Sequence, residues 1–302
     1  KKIRKLGIQL PYSGLDGIEM EITLDCIPCM LRQALEASRM VTDDVAIQEQ
    51  IMKEALKMAL QFETYRNSPD MAMHIHHVIK EITGIEDAYF EVKQRDLKAA
   101  QEMYPVLIDF MNQQDNKIYW ALKTAATGNN IDAAIVQNVD VKLCVQNELS
   151  KVFAISDLDL FCEQMENAKT VLIIGDNSGE TVFDKVLIEH LKNKKIYYAV
   201  REAPILNDVT KEEAIESGIH KVAEVISSGS RAPGTILEEC NAHFLEIFEE
   251  ADIIISKGQG NYEGLSESKR GIFFLLKAKC NMIAQKLEVP LNSYVFKYGH
   301  GE

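Results

Sequence analysis

The chain's 302 residues include 46 acidic and 33 basic side chains, a formal net charge of −13 that excludes a general affinity for nucleic acid or anionic lipid. That length accommodates one large domain or two modest ones, and no apolar run is long enough for a membrane span. The six cysteines (26, 29, 144, 162, 240, 280) are scattered with no signal peptide, which reads as reduced thiols in a cytoplasmic protein rather than a disulfide framework.

Residues 1–19 show no clear period ahead of Met20 and are set apart as a leader or appended remnant. From Leu24 to about Cys162 the pattern is almost entirely helical. Ala46 to Phe62 places apolar residues three and four apart, and the segment from Ser68 opens on Ser-Pro and stops at Gly84. Two more helices are expected, one over the "RDLKAAQEMYPVLIDFMNQ" segment and one over "NKIYWALKTAATGNN", which closes at Gly128-Asn129-Asn130. Residues 20–165 thus read as a helical subdomain.

After Ala168 the texture changes, and residues 166–302 read as an α/β domain that binds metal and phosphate. Candidate strands run Thr170 to Gly175, Lys195 to Val200, Lys221 to Ile226, Asp252 to Ser256, Ile272 to Cys280 and Ser293 to Tyr298. Helix-like stretches such as "TVFDKVLIEHLKN" and "TILEECNAHFLEIFEEA" separate them. The alternation predicts βαβ crossovers and a mainly parallel sheet flanked by helices, a Rossmann-like three-layer α/β fold with an N-terminal helical subdomain.

In a parallel sheet the loops that follow the strands converge on one edge. Four such loops are polar: Asp176-Asn177-Ser178-Gly179-Glu180, the segment with Asn207 and Asp208, "SSGSRAPGT" and "KGQGNYEG". Together they offer hard oxygen ligands (Asp176, Asn177, Asp208), cations (Arg231, Lys257) and glycine turns (Gly229, Gly234, Gly258, Gly260). Hard oxygens suit Mg²⁺ or Mn²⁺, and exposed backbone N–H groups suit a phosphate. Taken singly, Asp176-Asn177 and Asp208 read equally well as helix caps, and Arg231 and Lys257 as loop residues. No GxxxxGK[ST] is present, and "GQGNYEG" lacks the acidic residue of a dinucleotide fingerprint. An aspartyl-phosphate route of the Asp-x-Asp kind would need an acid where Ser178 stands, so a metal-activated water is the simpler nucleophile.

The motifs "GDNSGE", "LNDVT", "SGSRAPGT", "KGQGNYE" and "FLLKAKC", in that order, resemble the metal-dependent damage-control phosphatases. The likeness extends back through "GNNID" and "LDCIPC" to Met20, and the Cys-x-x-Cys places it with the prokaryote-like branch. The resemblance implies a phosphatase of small phosphorylated metabolites, such as sugar phosphates or damaged phosphometabolites. It implies a divalent ion (Mn, Mg, Co or Ni) on Asp176, Asn177 and Asp208, with Lys257 on the phosphate. Glu180, Ser178, Arg231, Gly258 and Asn261 are expected to line the same pocket. Some relatives carry Arg-Thr-x-Lys where this chain reads Lys277-Ala278-Lys279-Cys280. Lys279 is taken as the counterpart of that lysine, and the resemblance does not extend to those relatives' substrate range.

Two rival classes are an S-adenosylmethionine-dependent methyltransferase, for which Glu202 is poorly placed, and a non-enzymatic phosphometabolite-binding protein. Cys26 and Cys29 have the spacing of half a zinc knuckle or of a thioredoxin-type redox pair; no second Cys-x-x-Cys completes a tetrahedral site, and Cys280 is a candidate third thiol. His74, His76 and His77 read as a helix surface, and Asn130 and Asp132 as caps within reach of the sheet edge. Nucleic acid and membrane are not expected partners, and the oligomeric state is left open.

Overall fold

A computed structural model of the chain describes residues 20–128, 141–191 and 193–299. Residues 1–19, Asn130 and Asp132 lie outside the described residues.

Three helices open the chain: α1 (Cys26–Val41), α2 (Val45–Ala59) and α3 (Ser68–Thr83). Asn67 caps α3 by accepting from the Asp70 N–H, Pro69 occupies its first turn, and Gly84 ends it at φ 72°. Left-handed backbone of this kind suits glycine, and the expected stop is where the sequence put it. The three helices bury Met30, Ala34, Ile51, Ala55, Met71 and Ile75 in a core of their own.

Next come α4 (Phe90–Asn112), α5 (Lys117–Thr127), α6 (Val141–Ser150), strand β1 (Phe153–Ser156) and α7 (Leu158–Asn167). Leu97, Leu107, Leu122 and Ala125 of α4 and α5 share one core with Phe161 of α7 and with Val171 and Ile173 of the sheet. These helices therefore form the layer over one face of the sheet.

The remaining strands are β2 (Thr170–Ile174), β3 (Lys195–Val200), β4 (Glu224–Ser227), β5 (Ile253–Lys257), β6 (Ile272–Lys277) and β7 (Tyr294–Gly299). They join β1 in a seven-stranded sheet ordered β1-β7-β6-β5-β2-β3-β4. Strands β2 to β6 run parallel; β7 is antiparallel to β6, and β1 runs parallel with β7. The intervening helices are α8 (Thr181–His190), α9 (Lys211–Glu216), α10 (Ala242–Glu250), α11 (Gln259–Leu265) and α12 (Asn281–Lys286). Strand residues alternate between faces: Val171, Ile173, Ile253 and Ile255 face α4, α5 and α8, whereas Leu172, Ile174 and Ile254 face α10 to α12.

The structure corrects the sequence reading at four places. β1 was not among the expected strands. The segment from Lys221 forms a 3₁₀ turn over Ile219–Lys221 before β4 starts, and β6 stops at Lys277, short of Cys280. The stretch from Thr235 makes a 3₁₀ turn over Leu237–Glu239 and becomes α-helical only from Ala242, because Asn241 caps α10 there by accepting from the Phe244 N–H at 2.9 Å.

Candidate active site

β2 delivers Asp176 and Asn177 at the edge where the parallel strands end. The loop after β3 returns against them as a second short ladder: Asn177 and Asp208 form an antiparallel bridge. The Val209 N–H donates to the Asp176 carbonyl at 2.8 Å and the Ser178 N–H to that of Asn207 at 2.8 Å. Two polar tips far apart in sequence are thereby held side by side by backbone, with the Ser178 hydroxyl adding a bond to the Asn207 carbonyl at 3.0 Å.

Neither tip is a helix cap. Thr210 caps α9 in a capping box with Glu213, so Asp208 is left for other work. Asn177 makes no capping hydrogen bond and instead donates through Nδ2 to Glu180 Oε1 at 2.9 Å, leaving the carbonyl end of its amide as an acceptor.

β5 brings Lys257 into the same edge, where Nζ donates to Glu180 Oε2 at 2.8 Å and Asp184 Oδ1 at 2.6 Å. Tyr198 Oη donates to the other Asp184 oxygen at 2.7 Å. Burial alone would depress the Lys257 ammonium, but Asp184 and Glu180 together hold it above the ordinary lysine range. On the opposite side Arg201 Nε donates to Asp208 Oδ2 at 2.7 Å, while its other nitrogens reach Thr235 and Asn261.

Burial pushes the Asp176 carboxyl well above its usual range, and the neighbouring charges of Glu180 and Asp208 add to the rise; Arg201 and Lys279 oppose it. Asp208 is likewise raised by burial against the pull of Arg201. Buried carboxylates this close resist ionising together unless a cation joins them.

Gly258, between β5 and α11, sits directly on this carboxylate. Its φ is +77°, and a Cβ there would lie 1.9 Å from Asp176 Oδ2. A little further on, a Cβ on Gly260 would meet the Pro233 carbonyl at 2.0 Å, so the loop after β4 packs backbone to backbone on α11.

The expected site residues divide into four groups. Asp176, Asn177, Ser178, Glu180, Asp208, Lys257 and Gly258 meet at one place. Asn261 stands behind it as a brace. Its Nδ2 donates to the Gly175 and Lys257 carbonyls at 2.9 and 2.8 Å, and its Oδ1 accepts from Arg201 and Thr235. Lys279 is exposed at the rim, where its charge is felt by Asp176. Arg231 is exposed elsewhere, lining a separate cavity. Among the described residues no hydrogen bond or ion pair joins it to the groups above.

The sequence reading missed Arg201, Asp184 and Tyr198. It also passed over Lys277, the buried lysine at the end of β6. Cys26 is buried, Cys29 exposed, and Cys280 accepts from Gln259 Nε2 at 3.3 Å. Among the described residues no group of three or more His, Cys, Asp or Glu can hold a metal ion, so the three-thiol reading finds no support. The set expected from the sequence, Asp176, Asn177 and Asp208, would use an amide oxygen as its third donor and so would not form such a group.

The sequence and the fold are similar to those of known proteins. A family model described as "Damage-control phosphatase ARMT1-like domain" matches residues 22–295. The chain belongs to that family. Damage-control phosphatase PH1575 of Pyrococcus horikoshii is 33% identical over 91% of this chain and 97% of its own. A damage-control phosphatase of Archaeoglobus fulgidus is 32% identical, with 92% and 99% covered. The crystal structure of PH1575, described as a DUF89 family protein, superposes with a TM-score of 0.85 over 92% of this chain and 99% of that one. Phosphatase activity is what membership in this family carries.

Glu263 of α11 lies buried near the same edge, accepting from Gln259 Nε2 at 3.1 Å. Burial pushes its carboxyl up to about 7, with Gln259 and Ser68 opposing the rise. Between its ordinary value of 4.5 and about 7 the folded protein keeps a proton that the unfolded chain has released, so stability falls as pH rises across that window. Glu263→Gln is expected to remove this slope and to raise stability at about pH 8 by roughly 3 kcal/mol at most. Urea midpoints measured from pH 4 to 8 check it; a slope identical to that of the unmodified protein would mean that Glu263 is solvated.

Proposed function

We propose that the protein hydrolyses phosphate monoesters of small metabolites, sugar phosphates or damaged phosphometabolites among them, with a divalent cation held by Asp176, Asn177 and Asp208. The observation that carries this reading is a charge imbalance. Asp176, Glu180, Asp184 and Asp208 are buried at one edge against two buried cations, Lys257 and Arg201. Four carboxylates and two cations leave a deficit that one divalent ion balances, and the hard oxygen donors suit Mn²⁺, Mg²⁺, Co²⁺ or Ni²⁺. When bound, such an ion supplies Lewis acidity to the phosphoryl group and lowers the pKa of a water.

The chain's own residues do the rest. Arg201 fixes one oxygen of Asp208 and so turns the carboxylate toward Asp176 and Asn177. Lys257, held protonated by Glu180 and Asp184, supplies positive charge where the transferring phosphoryl oxygens gather theirs. Gly258 permits close approach of backbone N–H groups, and Lys279 at the rim attracts the anionic substrate.

The test is phosphate release from an aryl phosphate by chelator-stripped protein, before and after adding each of the four ions, with Asp176→Ala alongside. Restoration by a metal in the unmodified protein and none in the variant is expected. Full activity after stripping would remove the metal from the mechanism, and metal-restored activity in Asp176→Ala would remove Asp176 from the residues that hold it.

A further inference from the structure

Behind the loop that carries Asp208 lies a cavity of about 580 Å³, bounded by α3, residues 85–89, the loop after β3 and Arg231. None of Asp176, Asn177, Asp208 or Lys257 lines it. Ala203 to Leu206 form its wall, and the next two residues turn to the catalytic edge, where the Asn207 carbonyl accepts from Ser178 and Asp208 from Arg201. Leu206 holds this division with a positive φ of 47°. The cavity and the catalytic edge are therefore two compartments sharing one loop.

The cavity's three acids already have cations: Glu86 pairs with Lys80 at 2.6 Å, Asp87 shares Lys93 with Glu213, and Glu239 shares Arg66 with Asp70 and Glu238. Arg231 makes no ion pair or hydrogen bond among the described residues, so its guanidinium is left to meet a ligand. Beside it stand His74, His76 and His77. The His76 Nε2 is buried and unpartnered, and burial holds that imidazole neutral by lowering its pKa to about 4. Ile79, Pro204, Ile205 and Leu206 supply apolar wall. The volume falls within the roughly 300–1,000 Å³ of small-molecule pockets, far more than an inorganic anion fills. A guanidinium fork matches phosphate and carboxylate alike.

We infer that this cavity is a second ligand site, separate from the phosphoryl site, for a small organic anion whose charged end meets Arg231 and whose carbon skeleton lies against Ile79 and Ile205. The inference does not depend on the metal chemistry proposed above.

Calorimetric titration of the full chain, stripped of metal, tests it. Phenylphosphonate, which no phosphatase can hydrolyse, and benzoate are the probes. The expected result is one-to-one binding of at least one probe by both the unmodified protein and Asp176→Asn, weakened about tenfold or more in Arg231→Gln and in Ala203→Phe, which fills the cavity from its loop. The probe that binds tells whether the charged end is a phosphate or a carboxylate. No saturable binding, full affinity in either cavity variant, or loss of binding in Asp176→Asn would overturn the assignment, the last by moving the anion to the catalytic edge. Unfolding midpoints of the variants, matched to that of the unmodified protein, show that any lost affinity is local.

Discussion

Lys257→Met is expected to destabilise the protein by about 3–5 kcal/mol, because it strands two buried carboxylates without their cation. Lys257 is almost wholly buried, as are its partners Glu180 and Asp184. Neither acid has solvent to fall back on, and the variant removes both ion pairs at once. A urea melt checks the magnitude. Adding Asp184→Asn to Lys257→Met should recover part of the loss, since one of the stranded charges is then gone, while phosphatase activity stays absent. An unchanged midpoint in the single variant would show that the acids are protonated in the folded protein and that the lysine does not hold them.

Gly258→Ala should cost activity on the order of 100-fold, the penalty for displacing a reacting group by about 1 Å. Two constraints act together here. The backbone has the positive φ of 77°, which alanine adopts at a cost, and the added methyl would occupy the place of Asp176 Oδ2. The carboxylate must swing away, and with it one of the three expected metal donors. The readout is kcat together with the metal concentration that gives half-maximal activity, and both should worsen. A variant with normal metal dependence would mean that the carboxylate has another productive position.

The aliphatic strands were legible because burial on both faces leaves an unbroken run, as in Val171 to Ile174, where no residue is exposed. β1 was not, for the opposite reason. It is four residues long at the sheet's edge with alternating half exposure, and its partner lies more than a hundred residues later. Asp176, Asn177, Asp208 and Lys257 could be read as a group because parallel strand ends must converge.

Arg201 and Asp184 could not be found that way. Arg201 follows β3 like any loop arginine, and only its position in space shows it reaching Asp208. Asp184 did leave a signal. It stands in α8 among Val182, Phe183, Val186, Leu187 and Ile188, off the partly exposed face that Lys185 and Glu189 make, so an acid there must have a buried partner. Arg231 shows the limit of the convergence argument. It also follows a strand of this sheet, yet it points into a different compartment.

The position of β7 has a consequence for how the chain is assembled. Because it is inserted between β1 and β6 and is not added at the margin, residues 153–156 have no place in the sheet until residues 294–299 have been synthesised. During translation β1 must wait through the whole α/β segment, its hydrogen-bonding groups open to other partners. A nascent chain halted before Tyr294 would therefore carry two vacant strand edges, at β6 and at β1. Such a chain is where chaperone dependence and aggregation of this protein should concentrate.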